Sequence, residues 1–154
     1  MSLRDYRIEK LTLGYTIRHY EGNDAIVKLP SHFNSNAIEI IGDYAFSGNK
    51  SINQVVIPSG IKCIDFYAFA QCSNLESITI PNTVSEINSH AFYECYSLKQ
   101  VIFKGTKAQW NKIYSYDDYV KTAFDGIVIF EPESDLSKFL NDALKDNGQN
   151  SKDI

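Results

Sequence analysis

The dipeptide Ala-Phe returns at a constant spacing in the middle of this chain. It occupies positions 45–46, 68–69 and 91–92, so both intervals are 23 residues (68 − 45 = 91 − 68). A fixed period in the twenties is typical of a solenoid, because one coil of that length cannot enclose a core and must bury its apolar face against its neighbours. The spacing therefore predicts stacked coils in which Phe fills the interior and Ala leaves room for the adjacent backbone.

Aliphatic residues recur with the same period when residues 41–63, 64–86 and 87–109 are aligned. The recurring sets are Ile38, Ile61 and Val84; Ile41, Ile64 and Ile87; Ile52, Leu75 and Leu98; Val55, Ile78 and Val101; and Ile57, Ile80 and Phe103. Within one unit, the segment LESITIP alternates apolar with polar residues, which predicts a half-buried strand. Pro81 ends this strand because it has no N–H to donate. The YAF segment is predicted to be a short helical or irregular piece on the opposite wall.

The unit resembles the leucine-rich repeat, because Leu75, Ile78 and Ile80 occupy the apolar places of L-x-x-L-x-L and Cys72 occupies the small polar place. It is more similar to the BspA-type subclass, which is marked by Ile, then Ala-Phe, then Cys-x-x-Leu, then Ile-Pro. The resemblance covers residues 25–109. It implies a β-rich α/β solenoid of right-handed leucine-rich-repeat coils of about 23 residues. It also implies surface adhesion and host or interbacterial contact.

Both ends of the solenoid are predicted to carry a cap, because a bare terminal coil exposes its core and its strand edge. Residues 15–20 and 25–30, separated by EGND, are expected to pair as an N-terminal hairpin. At the other end, KGTKAQWNKIY is expected to form a short helix. This tail resembles the closing segment of BspA-like proteins, which implies that Trp110 is a plug in a C-terminal helical cap. The predicted organisation is an N-terminal cap at 1–24, BspA-type repeats at 25–109, a C-terminal cap at 110–133, an amphipathic helix at 134–148 and a disordered tail at 149–154.

The amphipathic helix is predicted from apolar residues at helical spacing, with Ser134 as a candidate N-cap and Gly148 near its end. These apolar residues are Leu136, Phe139, Leu140, Ala143 and Leu144. The pattern leaves open whether the helix packs on the last coil or continues into something else.

Charge and hydropathy exclude two kinds of partner. A formal net charge of −4 and a pI near 5.3 disfavour a nucleic-acid surface, which needs a concentrated basic patch. No apolar run approaches the roughly 20 residues that cross a bilayer, so no membrane span is expected. Residues 1–15 lack the apolar region of a secretory signal. The chain as it stands is therefore expected to be cytoplasmic, and a cell-surface or secreted location would apply if a signal had been removed.

Histidines are the first candidates for acid–base or metal chemistry. His90 falls in the column of Tyr44 and Tyr67, so it is interpreted as a stacking residue of the outer wall. His19 and His32 lie in the N-terminal cap and its loop, and neither has a Cys, His or carboxylate at ligand spacing. No metal site and no cofactor is expected.

The adjacent carboxylates Asp117 and Asp118 are weighed as a hydrolytic pair, and a solvated turn is preferred because neighbours in a loop seldom point at one substrate atom. No catalytic residue is assigned, and an enzyme is not expected. Cys72 and Cys95 should lie about 5 Å apart on neighbouring coils, within disulfide range. Because Asn49 occupies the same column, a group that bonds the turn backbone is preferred to a disulfide, and the three cysteines are expected to be reduced.

Outward-facing strand residues are the candidate binding surface. They form two columns, in which weakly polar and β-branched residues make a flat platform of the kind that repeat proteins use for partners. The candidate residues are Lys28, Gln54, Val56, Ser77, Thr79, Gln100 and Ile102. The alternative, that they are only β-formers on a solvated strand, is weighed equally.

Two functional hypotheses follow from these residues. The first is a non-catalytic module that binds a protein or a glycan, as a monomer or weak oligomer, in adhesion or in host or interbacterial interaction. The second is an intracellular scaffold or interaction domain of a larger protein, with residues 134–147 as the docking element. A hydrolase that uses Asp117, Asp118 and a histidine is kept only as a contrast.

Overall fold

The computed structural model describes residues 2–115, 123–132 and 143–144 of the 154-residue chain. A single 3-10 turn at Leu3–Asp5 comes first in the described part. The remaining elements are the strands β1 Tyr6–Leu11, β2 Gly14–Tyr20, β3 Ile26–Lys28, β4 His32–Phe33, β5 Asn36–Ile41, β6 Gln54–Val56, β7 Cys63–Ile64, β8 Ser77–Pro81, β9 Glu86–Ile87, β10 Gln100–Lys104 and β11 Val128–Phe130, and the helix α1 Lys107–Asn111.

The strands form two sheets around one apolar core. Sheet 1 has five parallel strands in the order β11-β10-β8-β6-β3. Sheet 2 has the order β1-β2-β5-β7-β9 and is parallel from β2 onward, while β1 and the side strand β4 pair antiparallel with β2 and β5. Successive coils add a strand to each sheet, which gives a β-solenoid of about five turns. The predicted solenoid is confirmed.

Strand register reproduces the sequence period. Gln54 lies beside Ser77 and Ser77 beside Gln100, which are steps of 23 residues (77 − 54 = 100 − 77). The step from β3 to β6 is 28 residues (54 − 26), and the five extra residues (28 − 23) are accommodated by the β4–β5 hairpin. Its two loop residues, Asn34 and Ser35, have φ of 48° and 65°. Two positive φ values in succession make the tight turn that joins antiparallel strands.

The repeated Ala-Phe dipeptide is buried, as predicted. The Phe rings of neighbouring coils stack, with centroids 4.8 Å apart for Phe46 and Phe69 and 5.4 Å apart for Phe69 and Phe92. The backbones meet as well, because the N–H of Phe46 donates to the carbonyl of Ala68 at 2.7 Å and that of Phe69 to Ala91 at 2.8 Å. A side chain larger than Ala would push these hydrogen-bonded backbones apart, so the dipeptide repeats with the coil.

The YAF segment forms a turn, so the irregular alternative is the one found. Tyr44, Tyr67 and His90, which precede the Ala of each coil, have φ between 55° and 59°. This left-handed conformation costs a residue with a side chain roughly 1–2 kcal/mol. Its recurrence at one position of every coil shows that the turn geometry is dictated by the coil, and the inter-coil hydrogen bonds of the next residues offset the cost.

The N-terminal cap contains a hairpin, but its strands differ from those predicted. β2 pairs antiparallel with β1, whereas residues 25–30 contribute β3 to the other sheet, so the predicted pairing of residues 15–20 with 25–30 is wrong. The segment EGND turns a corner of the coil instead of closing a hairpin. The cap covers the first Phe, because Tyr20 and Tyr6 pack on Phe46 with ring centroids 5.2 Å and 6.4 Å away.

At the C-terminal end the described helix is short. α1 begins with a capping box, in which the N–H of Gln109 donates to Thr106 Oγ1 at 3.1 Å and the N–H of Thr106 donates to Gln109 Oε1 at 2.8 Å. Trp110 is buried against Phe103, with ring centroids 5.2 Å apart. The larger helical cap predicted for 110–133 is not confirmed by these residues, and it stays a prediction.

Several predicted features lie outside the described residues. They include Asp117 and Asp118, the tail at 149–154, and all of the amphipathic helix at 134–148 except Ala143 and Leu144.

Candidate functional site

The predicted binding residues lie side by side on sheet 1. Pairing of β3, β6, β8 and β10 aligns them in two columns, each of which crosses the sheet at right angles to the strands. The first column is Ile26, Gln54, Ser77 and Gln100, and the second is Lys28, Val56, Thr79 and Ile102. We call these two columns, together with Ile129 of β11, the platform. Ile129 pairs with Ile102 and extends the second column.

Ile129 was missed in the sequence because the last step is 27 residues (129 − 102) and not 23. A search at constant period does not place the segment GIVIF, residues 126–130, on the platform. The alternation of inward and outward residues within GIVIF is the signal that could have placed Ile129 on the outer face.

Exposure varies along the platform. Ile26 and Ile129, at its two ends, expose 60% and 43% of their surface, whereas Thr79 in the middle exposes 9%. Thr79 is shielded because its two neighbours in the column, Val56 and Ile102, flank it on both sides. The expectation that every platform residue is open to solvent is therefore wrong for Thr79, and the apolar surface available to a partner is concentrated at the ends.

Little charge interrupts the platform. Lys28 is its one charged residue, and polar contacts inside it are weak, such as the Ser77 hydroxyl 3.5 Å from Gln100 Oε1. An ion pair between mostly exposed side chains lies just before two of these strands, where Lys99 meets Glu76 at 3.7 Å. Such pairs contribute about 0–1 kcal/mol, so this face is suited to apolar and hydrogen-bonded contacts more than to ionic ones.

The residues that precede each Ala-Phe dipeptide form a column of stacked rings on the outside of the turns. Tyr44 stacks on Tyr67 with centroids 5.0 Å apart and planes 1° apart, and Tyr67 stacks on His90 at 5.1 Å and 16°. The interpretation of His90 as a stacking residue is thus confirmed. Among the described residues, no three His, Cys, Asp or Glu side chains come together in a group that could hold a metal ion.

Asn49, Cys72 and Cys95 share one column, and each side chain hydrogen-bonds a backbone carbonyl of the preceding coil, as the Asn in this column indicated. Cys72 Sγ lies 3.2 Å from the carbonyl oxygen of Phe46, and Cys95 Sγ lies 3.0 Å from that of Phe69. The Asn49 amide plays the same part, donating to Gly22 O at 3.0 Å. All three cysteines are free thiols. Burial raises the pKa of Cys72 to about 12 and that of Cys95 to about 11, so both are protonated at neutral pH.

Sheet 2 has a concave feature that the sequence did not reveal. The loop of the β1–β2 hairpin and the outer face of β5 and β7 together line two adjoining open lobes of about 240 and 260 Å³. We call this channel the hairpin groove. Both lobes are lined by Leu13, Ile40 and Asp65. One signal of the groove was available in the sequence: Gly42, Asp65 and Asn88 share a column, so a position without a side chain lies next to two polar side chains.

Two carboxyl groups meet beside the hairpin groove. Asp65 Oδ1 accepts the N–H of Phe66 at 2.9 Å and the side-chain amide of Asn88 at 2.8 Å. Asp43 forms a side-chain hydrogen bond to Asp65, and desolvation, followed by repulsion from the Asp65 carboxylate, raises the pKa of Asp43. Burial and the nearby carboxylates also raise the pKa of Cys63, in the groove, to about 12. Cys63 is therefore a poor nucleophile at neutral pH.

These coils, with their registered strand columns and stacked apolar rungs, define a leucine-rich-repeat solenoid. The BspA type leucine-rich repeat region matches residues 26–124 in six copies. The chain therefore belongs to the BspA-type leucine-rich repeat family. No curated protein matches it.

Solved structures of bacterial leucine-rich repeat proteins are similar to this chain. One from T. pallidum is 26% identical, with a TM-score of 0.63 over 67% of this chain and 52% of that protein. One from Bacteroides capillosus is 18% identical, with a TM-score of 0.64 over 87% of this chain and 98% of that protein, a likeness of fold. One from Bacteroides ovatus is 31% identical, with a TM-score of 0.51 over 63% of this chain and 27% of that protein. The chain thus spans about half the length of the T. pallidum protein.

In the described part of the chain, no helix has the length and apolarity to cross a bilayer.

Proposed function

We propose that this chain is a non-catalytic recognition module that binds a protein or a glycan through the platform, in adhesion or in host or interbacterial contact. Leucine-rich repeats are in general interaction or surface modules and not enzymes, which supports the class of function. The observation that carries the proposal is the alignment of the platform residues in register across five strands of sheet 1.

The end residues of the platform supply the apolar contact. Ile26 and Ile129 are both exposed, and an exposed apolar strand residue at each end of the sheet is where a partner gains most by excluding water. Gln54, Ser77 and Gln100 lie between as hydrogen-bonding side chains that suit either a peptide backbone or sugar hydroxyls.

The test compares a platform variant with a matched control. Val56→Glu, Ile102→Glu and Ile129→Glu are combined, and Thr79 is spared because it is nearly buried. The control combines Ser51→Glu, Ser59→Glu and Asn82→Glu, which add the same charge at exposed positions off the platform. Both are screened against a glycan array and immobilised extracellular-matrix proteins.

Unchanged circular dichroism in both variants, with loss of wild-type ligands from the platform variant alone, is the expected result. A charge that must be desolvated without a partner weakens binding strongly. Equal retention of every ligand by both variants would move recognition away from sheet 1.

The second candidate is an intracellular scaffold or interaction domain of a larger protein, which uses residues 134–147 for docking. The observation that favours it is Leu144, which exposes 71% of its surface. Leu144→Asp would abolish partner binding under this alternative and leave it unchanged if the platform is the site.

A further inference from the structure

The hairpin groove is open at the top and combines an apolar rim and floor with polar and charged side chains along the rest of its lining. Leu13, at the tip of the β1–β2 loop, exposes 81% of its surface, and Ile40 lies half-buried on the floor. The floor also lacks a side chain at Gly42, where a Cβ would lie 2.9 Å from the carbonyl oxygen of Ile17. An exposed leucine over an apolar floor leaves a surface that gains from being covered.

Charge around the hairpin groove is unbalanced. Each nearby base has its own acid, because Lys62 pairs with Glu39 and Arg18 Nε lies 3.9 Å from Glu9. Within residues 2–115 and the other described segments, the carboxylates of Asp43, Asp65 and Glu86 are in no ion pair. Four acids line or flank the groove, against the two bases Arg18 and Lys62 that line it, so the excess charge is negative even though Arg18 also acts on Asp43.

One of these carboxylates is held rigidly. Asp65 is fixed by the N–H of Phe66 and the amide of Asn88, both of which bond its Oδ1. Its partner Asp43 adds a second carboxyl group at the same point. A cation placed there would be attracted to both carboxyl groups and would reduce the repulsion between them. Because hydrogen bonds already hold Asp65 in place, its carboxylate would not have to be reoriented on binding.

The division of the hairpin groove favours one kind of ligand. The groove consists of two adjoining lobes with volumes of about 240 and 260 Å³. Two linked lobes of this size suit successive side chains of a peptide. Lysine and arginine fit both features, because their aliphatic stems cover apolar surface while their heads reach acids.

We propose that the hairpin groove binds an extended basic peptide segment of a protein partner, with a lysine or arginine stem lying on Leu13 and Ile40 and its charged head at Asp65 and Glu86. This site is on sheet 2 and is independent of the platform on sheet 1.

The probe is the labelled peptide acetyl-Gly-Leu-Arg-Leu-Lys-Gly, with a matched peptide in which citrulline replaces Arg and acetyl-lysine replaces Lys. Binding is followed by fluorescence polarisation, and its location by shifts of backbone amide signals in nuclear magnetic resonance spectra. The basic peptide should shift the amides of Leu13, Gly42 and Asn88 and leave those of Val56 and Ile102 in place. The neutral peptide should produce no such shifts.

The variant is Asp65→Asn with Glu86→Gln, which keeps an oxygen at residue 65 for its two donors. Its matched control, Glu76→Gln with Glu94→Gln, removes the same charge outside the hairpin groove. The groove variant should weaken peptide binding about five- to tenfold, the size expected for losing partly exposed ion pairs. Leu13→Ser, at an exposed position that the fold does not need, should weaken it as well.

Three outcomes would overturn the proposal. They are equal binding of the neutral peptide, equal weakening in the control variant, and shifts confined to residues outside the hairpin groove. Shifts of the same amides by cellopentaose but not by the peptide would instead assign the groove to a glycan. Each outcome is independent of the platform, since the Val56→Glu, Ile102→Glu and Ile129→Glu variant should bind the peptide like wild type.

Discussion

The ring of Phe69 stacks on that of Phe46 with planes 14° apart, and on its other side it stacks on Phe92 with planes 6° apart. Phe69 is thus the central rung of a continuous aromatic ladder, with none of its surface exposed. Each coil contributes one ring, so loss of the Phe69 ring removes the stacking contacts with both neighbouring coils.

Phe69→Ala should be among the most destabilising single changes. Truncation of a buried Phe costs roughly 3–5 kcal/mol because the lost contacts leave a cavity. That is a large part of the roughly 5–15 kcal/mol that stabilises a typical domain. Urea unfolding followed by circular dichroism measures the loss. The control is Tyr96→Ala, at a ring that is 82% exposed, which should stay within about 0.5 kcal/mol of wild type. Equal midpoints for the two variants would contradict the stacked-coil core.

The free thiols should react only when the chain unfolds. Cys72 and Cys95 are protonated at pH 8, because burial raises the pKa of Cys72 to about 12 and of Cys95 to about 11, and only a thiolate attacks Ellman's reagent. We expect labelling of the native protein to be much slower than that of the protein in urea. Stability should also be the same in reducing and oxidising buffer. Labelling of only one thiol per chain in urea without reductant, or a Cys72→Ser variant that unfolds only under oxidising conditions, would favour a disulfide.

Gly42→Ala should loosen the N-terminal cap. A Cβ at residue 42 would lie 2.9 Å from both Ile17 O and Thr16 Cγ2, closer than ordinary van der Waals contact, and one of these atoms is backbone. Relief requires β2 to shift against β5, so we expect a cost of about 1–3 kcal/mol, as for other overpacked sites. Hydrogen exchange should show earlier opening of β1 and β2.

Gly48→Asn is the control for this change. A Cβ at residue 48 meets nothing within 4 Å, and φ there is +74°. Gln71 and Glu94, in the same column, adopt nearly the same conformation, with φ of 59° and 58°. Asn tolerates that conformation better than most residues, so the change should cost less than about 1 kcal/mol. A larger loss for Gly48→Asn than for Gly42→Ala would show that backbone conformation, and not close contact, governs these positions.

Asp43→Asn should stabilise the protein, and more so at neutral than at acid pH. The pKa of Asp43 is raised by desolvation first and then by the Asp65 carboxylate, with Arg18 acting in the opposite sense. A carboxyl whose folded pKa exceeds its unfolded value loses stability as pH rises from about 4, the ordinary Asp range, through the folded pKa. Asn lacks this loss and can donate a hydrogen bond to Asp65.

Melting temperatures of wild type and Asp43→Asn, measured from pH 3 to pH 8, test the sign. The difference should be small at pH 3, where both states of wild type are protonated, and should grow as pH rises. Asp125→Asn, which removes one carboxyl far along the chain from this pair, is the control for the loss of a negative charge. A wild-type protein that gains stability relative to Asp43→Asn as pH rises would contradict the carboxyl pair.

What the sequence determined by itself is the content of each column. A solenoid places the same position of each coil in the same surroundings, so Ala68, Phe69 and Cys72 could be assigned to interior and turn places from their spacing alone. The stacking of His90 was predictable for the same reason, since it shares the column of two tyrosines. The platform columns followed from the period-two alternation of β8.

Tertiary structure decided what lies between different columns and at the ends. Asp43 and Asp65 are 22 residues apart (65 − 43), one short of the period, so their contact is diagonal and depends on the cross-section of the coil. The strand that pairs with β2 depended on whether EGND closed a hairpin or turned a corner of the coil. The residue types of EGND are compatible with either, so the sequence could not distinguish them. The hairpin groove exists only because β1 folds back over the first coil. Spacing specifies which residues share an environment, whereas the cap, the diagonal pair and the groove arise from how unlike segments pack in three dimensions.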